Sequence, residues 1–187
     1  MKTYQKCLSI ILENEGGYCW ISGDSGGETY VGIARNYEKL WEGWKIIDKI
    51  KKERKVEKLK YNEKVKEITI DIIDPIYRKK YWDKIKGDDI CIINPELALH
   101  VFDMGVNAGI TTAIKLLQRC LGLTDDGIIG KMTLEGVKKA NHDKLLKDYI
   151  NRRKEYYIKI ATGEREKFLK GWLNRIDHTI NSSTCLV

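Results

Sequence analysis

Apolar positions along this chain recur mostly with the period of a helix. Tyr4, Cys7, Leu8, Ile11 and Leu12 stand at i, i+3, i+4, i+7 and i+8, one stripe of an amphipathic helix. The stripe stops at Gly16-Gly17, because glycine tolerates the positive φ that ends helices. Glu13 and Glu15 therefore fall in the last turn, where the macrodipole disfavours negative charge. A carboxyl placed there has its neutral form favoured, which suits a proton donor. Glu13 points to a different face from Glu15 and is expected in solvent.

The helical pattern breaks between Tyr18 and Ile33, where Gly23, Gly26, Gly27 and Gly32 alternate with short β-like pieces. A small hairpin or tight irregular sheet is predicted there. Helical spacing returns over residues 36–70, with Trp41, Trp44, Ile47 and Ile50 on one stripe and a break near Tyr61-Asn62. Further helices are predicted at Ile76–Trp82, at Pro95–Asn107 with Leu97, Val101 and Met104 inward, and at Thr112–Cys120. Another starts near Thr133, and a long one runs from Asp143 to Ile160 through Leu146, Ile150, Arg153 and Tyr157. The tail, with Phe168, Trp172 and Ile176, forms one more, and Asp126-Gly127 reads as a turn.

At 187 residues, 42% hydrophobic and 33% charged, the chain can bury a core and is not of the disordered class. Pro75 and Pro95 are its two prolines, and no Pro/Gly/Ser-rich linker separates lobes. The net charge is +7, and residues 45–66 concentrate it, with ten Lys/Arg against four Asp/Glu. A basic surface is drawn to polyanions, wall polymers and nucleic acid among them, but no nucleic-acid-reading motif is present and no nucleic-acid partner is expected. Cys7, Cys19, Cys91, Cys120 and Cys185 contain no C-x-x-C pair. His100, His142 and His178 stand far apart, so neither a metal site nor a cofactor is expected. The opening residues lack the apolar core of a signal peptide, and no run reaches the ~18 apolar residues of a membrane span.

Glycoside hydrolysis needs a protonated acid on one side of the scissile oxygen and a carboxylate on the other. Glu15 at a helix end, Asp24 nine residues later and Thr29 five after that supply this in one short unit. A tight hairpin after the helix can fold Asp24 back across a cleft from Glu15, and Thr29 can help hold the attacking water. Both acids lie among glycines and aromatic residues in the least regular stretch of the chain, where functional residues concentrate.

Glu15-Gly16-Gly17-Tyr18, followed by Asp24-Ser25-Gly26-Gly27-Glu28-Thr29-Tyr30-Val31-Gly32-Ile33, resembles the pattern of glycoside hydrolase family 108. These are N-acetylmuramidases of phage endolysins and related bacterial proteins, and every position of E-G-G-Y and D-x-G-G-x-T-x-x-G-I is matched. Ile76-Tyr77-Arg78 with Tyr81-Trp82, then residues 101–109 (VFDMGVNAG), resemble the join to that family's peptidoglycan-binding region. Leu117-Gln118, residues 126–130 (DGIIG) and Thr133 continue the likeness, which covers residues 5 to 160. The Lys-rich segment 45–66 is the least family-like part.

The resemblance implies a mainly α (α+β), lysozyme-like fold with a small β-hairpin element beside the active-site cleft. It implies a catalytic region at 1–95 and a helical peptidoglycan-binding region at 96–187 packed on it. Glu15 carries over as the acid, partly buried and kept protonated; Asp24 as the base; and Thr29 as a third member, one residue closer to Asp24 than in phage-type lysozymes. Tyr18, Tyr30, Tyr81 and Trp82 are candidates to stack on sugar rings, and Asp103 and Asn107, four apart on one helix, to line the substrate site. The implied activity is inverting hydrolysis of the β-1,4 bond between N-acetylmuramic acid and N-acetylglucosamine. The alternatives are a lytic transglycosylase, which needs only the Glu, and a non-catalytic wall-binding or phage structural protein. A monomer is expected, made in the cytoplasm, not inserted in membrane, and acting on the bacterial wall after release.

Overall fold

The computed structural model describes residues 3–183 and Leu186. The chain forms two compact units: one runs from Ile11 to Tyr77, and the other joins the residues before Ile11 to those from Arg78 onward. Among the described residues there are nine α-helices and one three-stranded antiparallel sheet. None of the helices is long and apolar enough to cross a membrane.

Helix α1, Thr3–Asn14, follows the predicted stripe. Glu13 is its last but one residue and is exposed. Glu15 lies one position beyond the helix rather than inside its last turn. Neither Gly16 nor Gly17 adopts a positive φ, so the conformational reason expected for that pair does not hold. The requirement is close approach instead: a Cβ on Gly17 would sit 2.3 Å from the Glu63 carbonyl oxygen.

The predicted hairpin is a sheet of three two-residue strands: β1 at Tyr18–Cys19, β2 at Thr29–Tyr30 and β3 at Ile33–Ala34. Tyr18 pairs with Tyr30 and Tyr30 with Ile33, and these three side chains form the buried face. Cys19, Thr29 and Ala34 share the other, half-exposed face, as period-2 alternation requires. The two residues joining β2 to β3, Val31 and Gly32, have φ of 43° and 74°. That is the left-handed pair demanded by a tight hairpin of this twist. Val31 is β-branched and strained in this region. It is held there by burial and by Tyr77, whose hydroxyl donates to the Val31 carbonyl at 2.8 Å.

Helix α2, Glu42–Arg54, buries Trp44, Ile47 and Ile50 as predicted, but ends earlier than the expected break near Tyr61-Asn62. Lys55, at φ 55°, closes it. Beyond Ile50 the run KKERK offers no apolar residue to extend the buried stripe. Residues 55–69 contain no α-helix, although Leu59, Val65 and Ile68 are buried. Helix α3, Ile70–Tyr77, is followed at once by a π-helical turn, Arg78–Trp82, so the helix expected at Ile76–Trp82 is two elements.

In the second unit α4 is Gly87–Ile93, a helix the hydropathy pattern does not announce. Gly87 is obligatory there, because a Cβ would fall 2.3 Å from the Trp82 indole. Helix α5, Pro95–Ala108, is the hub, buried continuously from Leu97 to Gly105. Asn94 caps it by accepting from the Leu97 N–H at 2.9 Å, with proline at the first helical position. Around it stand α6 (Ile110–Cys120), α7 (Lys131–Lys139), α8 (His142–Ile160), a 3-10 turn (Gly163–Phe168) and α9 (Leu169–Ser183). The buried stripe of α8 is Leu145, Tyr149, Arg153 and Tyr157, so Leu146 and Ile150 are corrected to flanking positions. Asp126-Gly127 is the expected turn, held by Gln118, which donates to Asp126 at 2.7 Å and accepts from the Gly127 N–H at 2.9 Å. Cys7, Cys19, Cys91 and Cys120 are free thiols, and Cys185 lies outside the described residues.

The hub is not wholly apolar. Arg153, fully buried, pairs with Asp103 and lies 2.6 Å from His100 Nδ1, while Arg175 reaches Asp103 at 2.8 Å. Burial, aided by the Arg153 charge, holds His100 well below its ordinary value of 6.5. The unfolded chain therefore takes up a proton near that value while the folded chain does not. Stability is complete above pH 6.5 and is lost as pH falls below it, by about 1.4 kcal/mol per pH unit for one proton. Denaturant titrations between pH 7 and 5 should show this slope, and His100→Gln should flatten it. An unchanged slope in the variant would assign the acid sensitivity elsewhere.

Candidate active site

Glu15 sits in the first unit, half-buried, where the chain leaves α1 and enters the sheet. Three residues of the segment 62–64 fix that passage. Lys64 Nζ donates to the Glu15 carbonyl at 2.8 Å, and Asn62 Oδ1 accepts from the Gly17 N–H at 2.6 Å. Tyr18 and the 62–63 backbone exchange two hydrogen bonds, Tyr18 N–H to the Glu63 carbonyl at 2.9 Å and Asn62 N–H to the Tyr18 carbonyl at 2.7 Å. Carbonyls at a helix end lack intrahelical donors, and an ammonium there offsets the negative end of the dipole. The Lys-rich stretch thus braces the loop that carries Glu15.

The carboxyl itself is placed against the β2–β3 turn. A Cβ on Gly32 would lie 3.2 Å from Glu15 Oε2 and 3.1 Å from the Tyr77 hydroxyl. Glycine at 32 serves twice, giving the turn its φ of 74° and leaving room for the acid. The Val31-Gly32 pair explains why the motif places its last glycine where it does.

Three other acids of this unit are held by cations. Glu28, inside the same motif, receives Lys51 at 2.5 Å, Arg35 at 2.6 Å and the Tyr18 hydroxyl at 2.5 Å. Burial alone would raise its pKa, but Lys51, Tyr18 and Arg35 together hold it below the usual carboxylate range. Asp48 is bound by Arg35 and Glu63 by Arg54, and both are likewise lowered. Carboxylates gripped by cations are poor proton donors near neutral pH. Among the described residues no cation grips Asp24: it is exposed, and its Oδ1 accepts from the Gly26 N–H at 2.8 Å in a tight turn. That bond uses one oxygen and leaves the other for a water. Thr29 is half-exposed in β2, opposite Cys19 and Ala34.

Most of the expected sugar-stacking residues turn out to be core. Tyr18 is 1% exposed and its hydroxyl is spent on Glu28. Tyr30, 3% exposed, stacks on Trp41 and takes the Val65 N–H at 2.9 Å. Trp82 packs on Tyr4 and Phe102, with its N–H donated to Asp88 at 2.9 Å. A ring with no open face cannot stack on a hexose, so these three are corrected to packing roles. Tyr81 is half-buried. Asp103, expected to line the substrate site, is inside the second unit's hub, fully buried and paired with Arg153 and Arg175. Asn107 is half-buried and donates to the Tyr157 hydroxyl at 2.5 Å.

The most exposed aromatic rings of the first unit are instead Tyr37 and Tyr61, the latter 81% exposed and adjacent to Asn62, while Trp20, less exposed, carries the Lys58 ammonium over its ring. Hydropathy could not sort them from Tyr18 and Tyr30, since one residue of register in a strand decides which face a ring takes.

The class of protein follows from comparison with known families: the model described as glycosyl hydrolase 108 matches residues 8–109, and one described as a predicted peptidoglycan domain matches residues 112–177. The chain belongs to the glycosyl hydrolase 108 family, and with its second domain it is a glycoside hydrolase acting on peptidoglycan. A solved structure described as that of Brucella abortus SagA is similar to it, with a TM-score of 0.69 and 27% identity over 98% of this chain and 95% of that one. Comparison with curated proteins gives no match. The fold is mainly α and lysozyme-like, with the small β element enlarged from one hairpin to three strands.

Proposed function

We propose that this protein is a muramidase that hydrolyses the β-1,4 bond between N-acetylmuramic acid and N-acetylglucosamine. Glu15 gives its proton to the leaving glycosidic oxygen. Asp24 takes a proton from a water attacking the anomeric carbon from the opposite face, and Thr29 helps position that water. Direct displacement by water inverts the anomeric centre, which requires the carboxyls to stand roughly 6.5–9.5 Å apart. The observation that carries the reading is the seat of Glu15: a half-buried carboxyl against Gly32 and the β2–β3 turn, just past the end of α1. The basic surface adds attraction to anionic wall polymers that weakens as salt rises.

Digestion of purified peptidoglycan followed by mass spectrometry tests it. Products should carry one added water and a new reducing N-acetylmuramic acid end, first formed as the inverted anomer. A 1,6-anhydro product would replace hydrolysis by transglycosylation, and a reducing N-acetylglucosamine end would move the bond.

A further inference from the structure

The second unit holds a groove that the chemistry at Glu15 does not use. Its volume is about 650 Å³, within the range of small-ligand sites, and it lies between α4 and α7. Ile92, Ile93, Ile129 and Leu134 supply its walls. Ile92 is 86% exposed, while Ile128 and Met132, 69% and 72% exposed, line a separate hollow that shares only Gly130 and Lys131 with this groove. An aliphatic side chain left in water on the rim of an apolar-walled groove marks a contact surface.

Three ammonium groups, Lys86, Lys131 and Lys138, and two carboxylates, Asp89 and Glu135, complete the lining. Among the described residues neither Lys86 nor Lys138 has an ion-pair partner, and Lys131 meets Glu135 only at 3.9 Å. Helix α7 opens on the groove at Gly130, and no side chain caps it, so its first-turn N–H groups also face a prospective anion.

We propose that this groove binds the peptide stems of peptidoglycan. The lining contains no aromatic ring, which argues against a sugar platform, whereas branched aliphatic walls suit the methyl groups of alanine. The lysines and the α7 terminus suit backbone-terminal and side-chain carboxylates. Asp89 and Glu135 suit the amino group of the stem's diamino acid. A ligand that is small, methyl-bearing and rich in carboxylates with one ammonium matches this mixture of charge. The assignment rests on peptidoglycan being the substrate. It adds that the wall is held by its peptide, in a different unit from the one that carries Glu15.

The test titrates the full chain with a soluble, sugar-free stem tetrapeptide (N-acetyl-L-Ala, γ-D-Glu, diamino acid, D-Ala) in its diaminopimelate and lysine forms, read by amide chemical shifts. Saturable shifts at residues 86–93 and 129–138 are expected. Ile92→Glu and Lys138→Glu, both at exposed positions, should each weaken binding roughly tenfold, the scale of one lost contact. Their rate on peptide-stripped glycan should stay unchanged, while turnover of dilute intact peptidoglycan falls. The proposal is overturned if the peptides leave the groove unshifted, or if stripped glycan alone shifts it. It is equally overturned if the chain is a dimer that Ile92→Glu dissociates. A chain that cuts no peptidoglycan would end the muramidase reading yet leave this titration readable, so the two failures are distinct.

Discussion

Glu15→Gln should leave the fold intact and lower the turnover of purified peptidoglycan by about 10²–10⁴-fold, the range a general acid contributes. The amide keeps the volume of the carboxyl against Gly32 and leaves the backbone bond from Lys64 untouched. What it removes is the proton delivered to the leaving oxygen. Dye release from labelled walls, with circular dichroism of the same preparation, reads both quantities. Wild-type turnover in this variant would end the assignment of the acid. Asp24→Asn offers a contrast, because its side-chain oxygen can still accept from the Gly26 N–H and keep the turn. Its loss of turnover should be comparable or smaller. A change confined to melting temperature would make Asp24 a turn residue and no base.

Much of the site is local in sequence, which is why it can be read there. Glu15, Asp24, Thr29 and Gly32 lie within eighteen consecutive residues, and backbone geometry alone couples them. A helix stop, a tight turn and a two-residue hairpin leave visible glycines. The brace is invisible for the opposite reason. Lys64 and Asn62 meet Glu15 and Gly17 across a separation of 45 residues or more, and no local pattern marks that pairing. A run of lysines reads as a solvated face, yet Lys51 and Lys64 from that run are fixed on Glu28 and Glu15.

Helices α1, α5 and α6, with a continuous apolar stripe, were legible to within a few residues; α2, whose stripe stops at Ile50, ends well before the expected break, and helices built around a polar contact were not legible. Helix α4 begins with Gly-Asp-Asp, a turn-like string, and is specified by Trp82 lying on Gly87 and bonding Asp88. In α8 the stripe through Leu146 and Ile150 competes with one through Leu145 and Tyr149, and the latter wins. Tyr149 can bury its ring because its hydroxyl finds the Ala113 carbonyl at 3.1 Å. Arg153 lies on that stripe although it is charged, because Asp103 waits on α5.

That last pair should be the most sensitive position of the second unit. Asp103 is fully buried and accepts from both Arg153 and Arg175. Asp103→Asn would leave the Arg153 guanidinium buried without its counter-charge, facing only the neutral His100. Arg153 Nε already lacks an acceptor among the described residues, so no alternative partner stands ready. Breaking a buried pair from one side costs about 3–5 kcal/mol. In a chain of this length that corresponds to a melting point lower by on the order of 10 °C. Replacing Asp103 together with Arg153 by apolar residues, Asp103→Leu with Arg153→Met, should cost less than the single change, since the fully buried guanidinium is then not stranded, while Arg175, which also loses Asp103, keeps 12% of its side chain in water. Calorimetry of the two variants decides. If Asp103→Asn melts within a degree of wild type, the interior charges are solvated after all. If the double variant is the worse of the two, the network contributes net stability beyond mutual neutralisation.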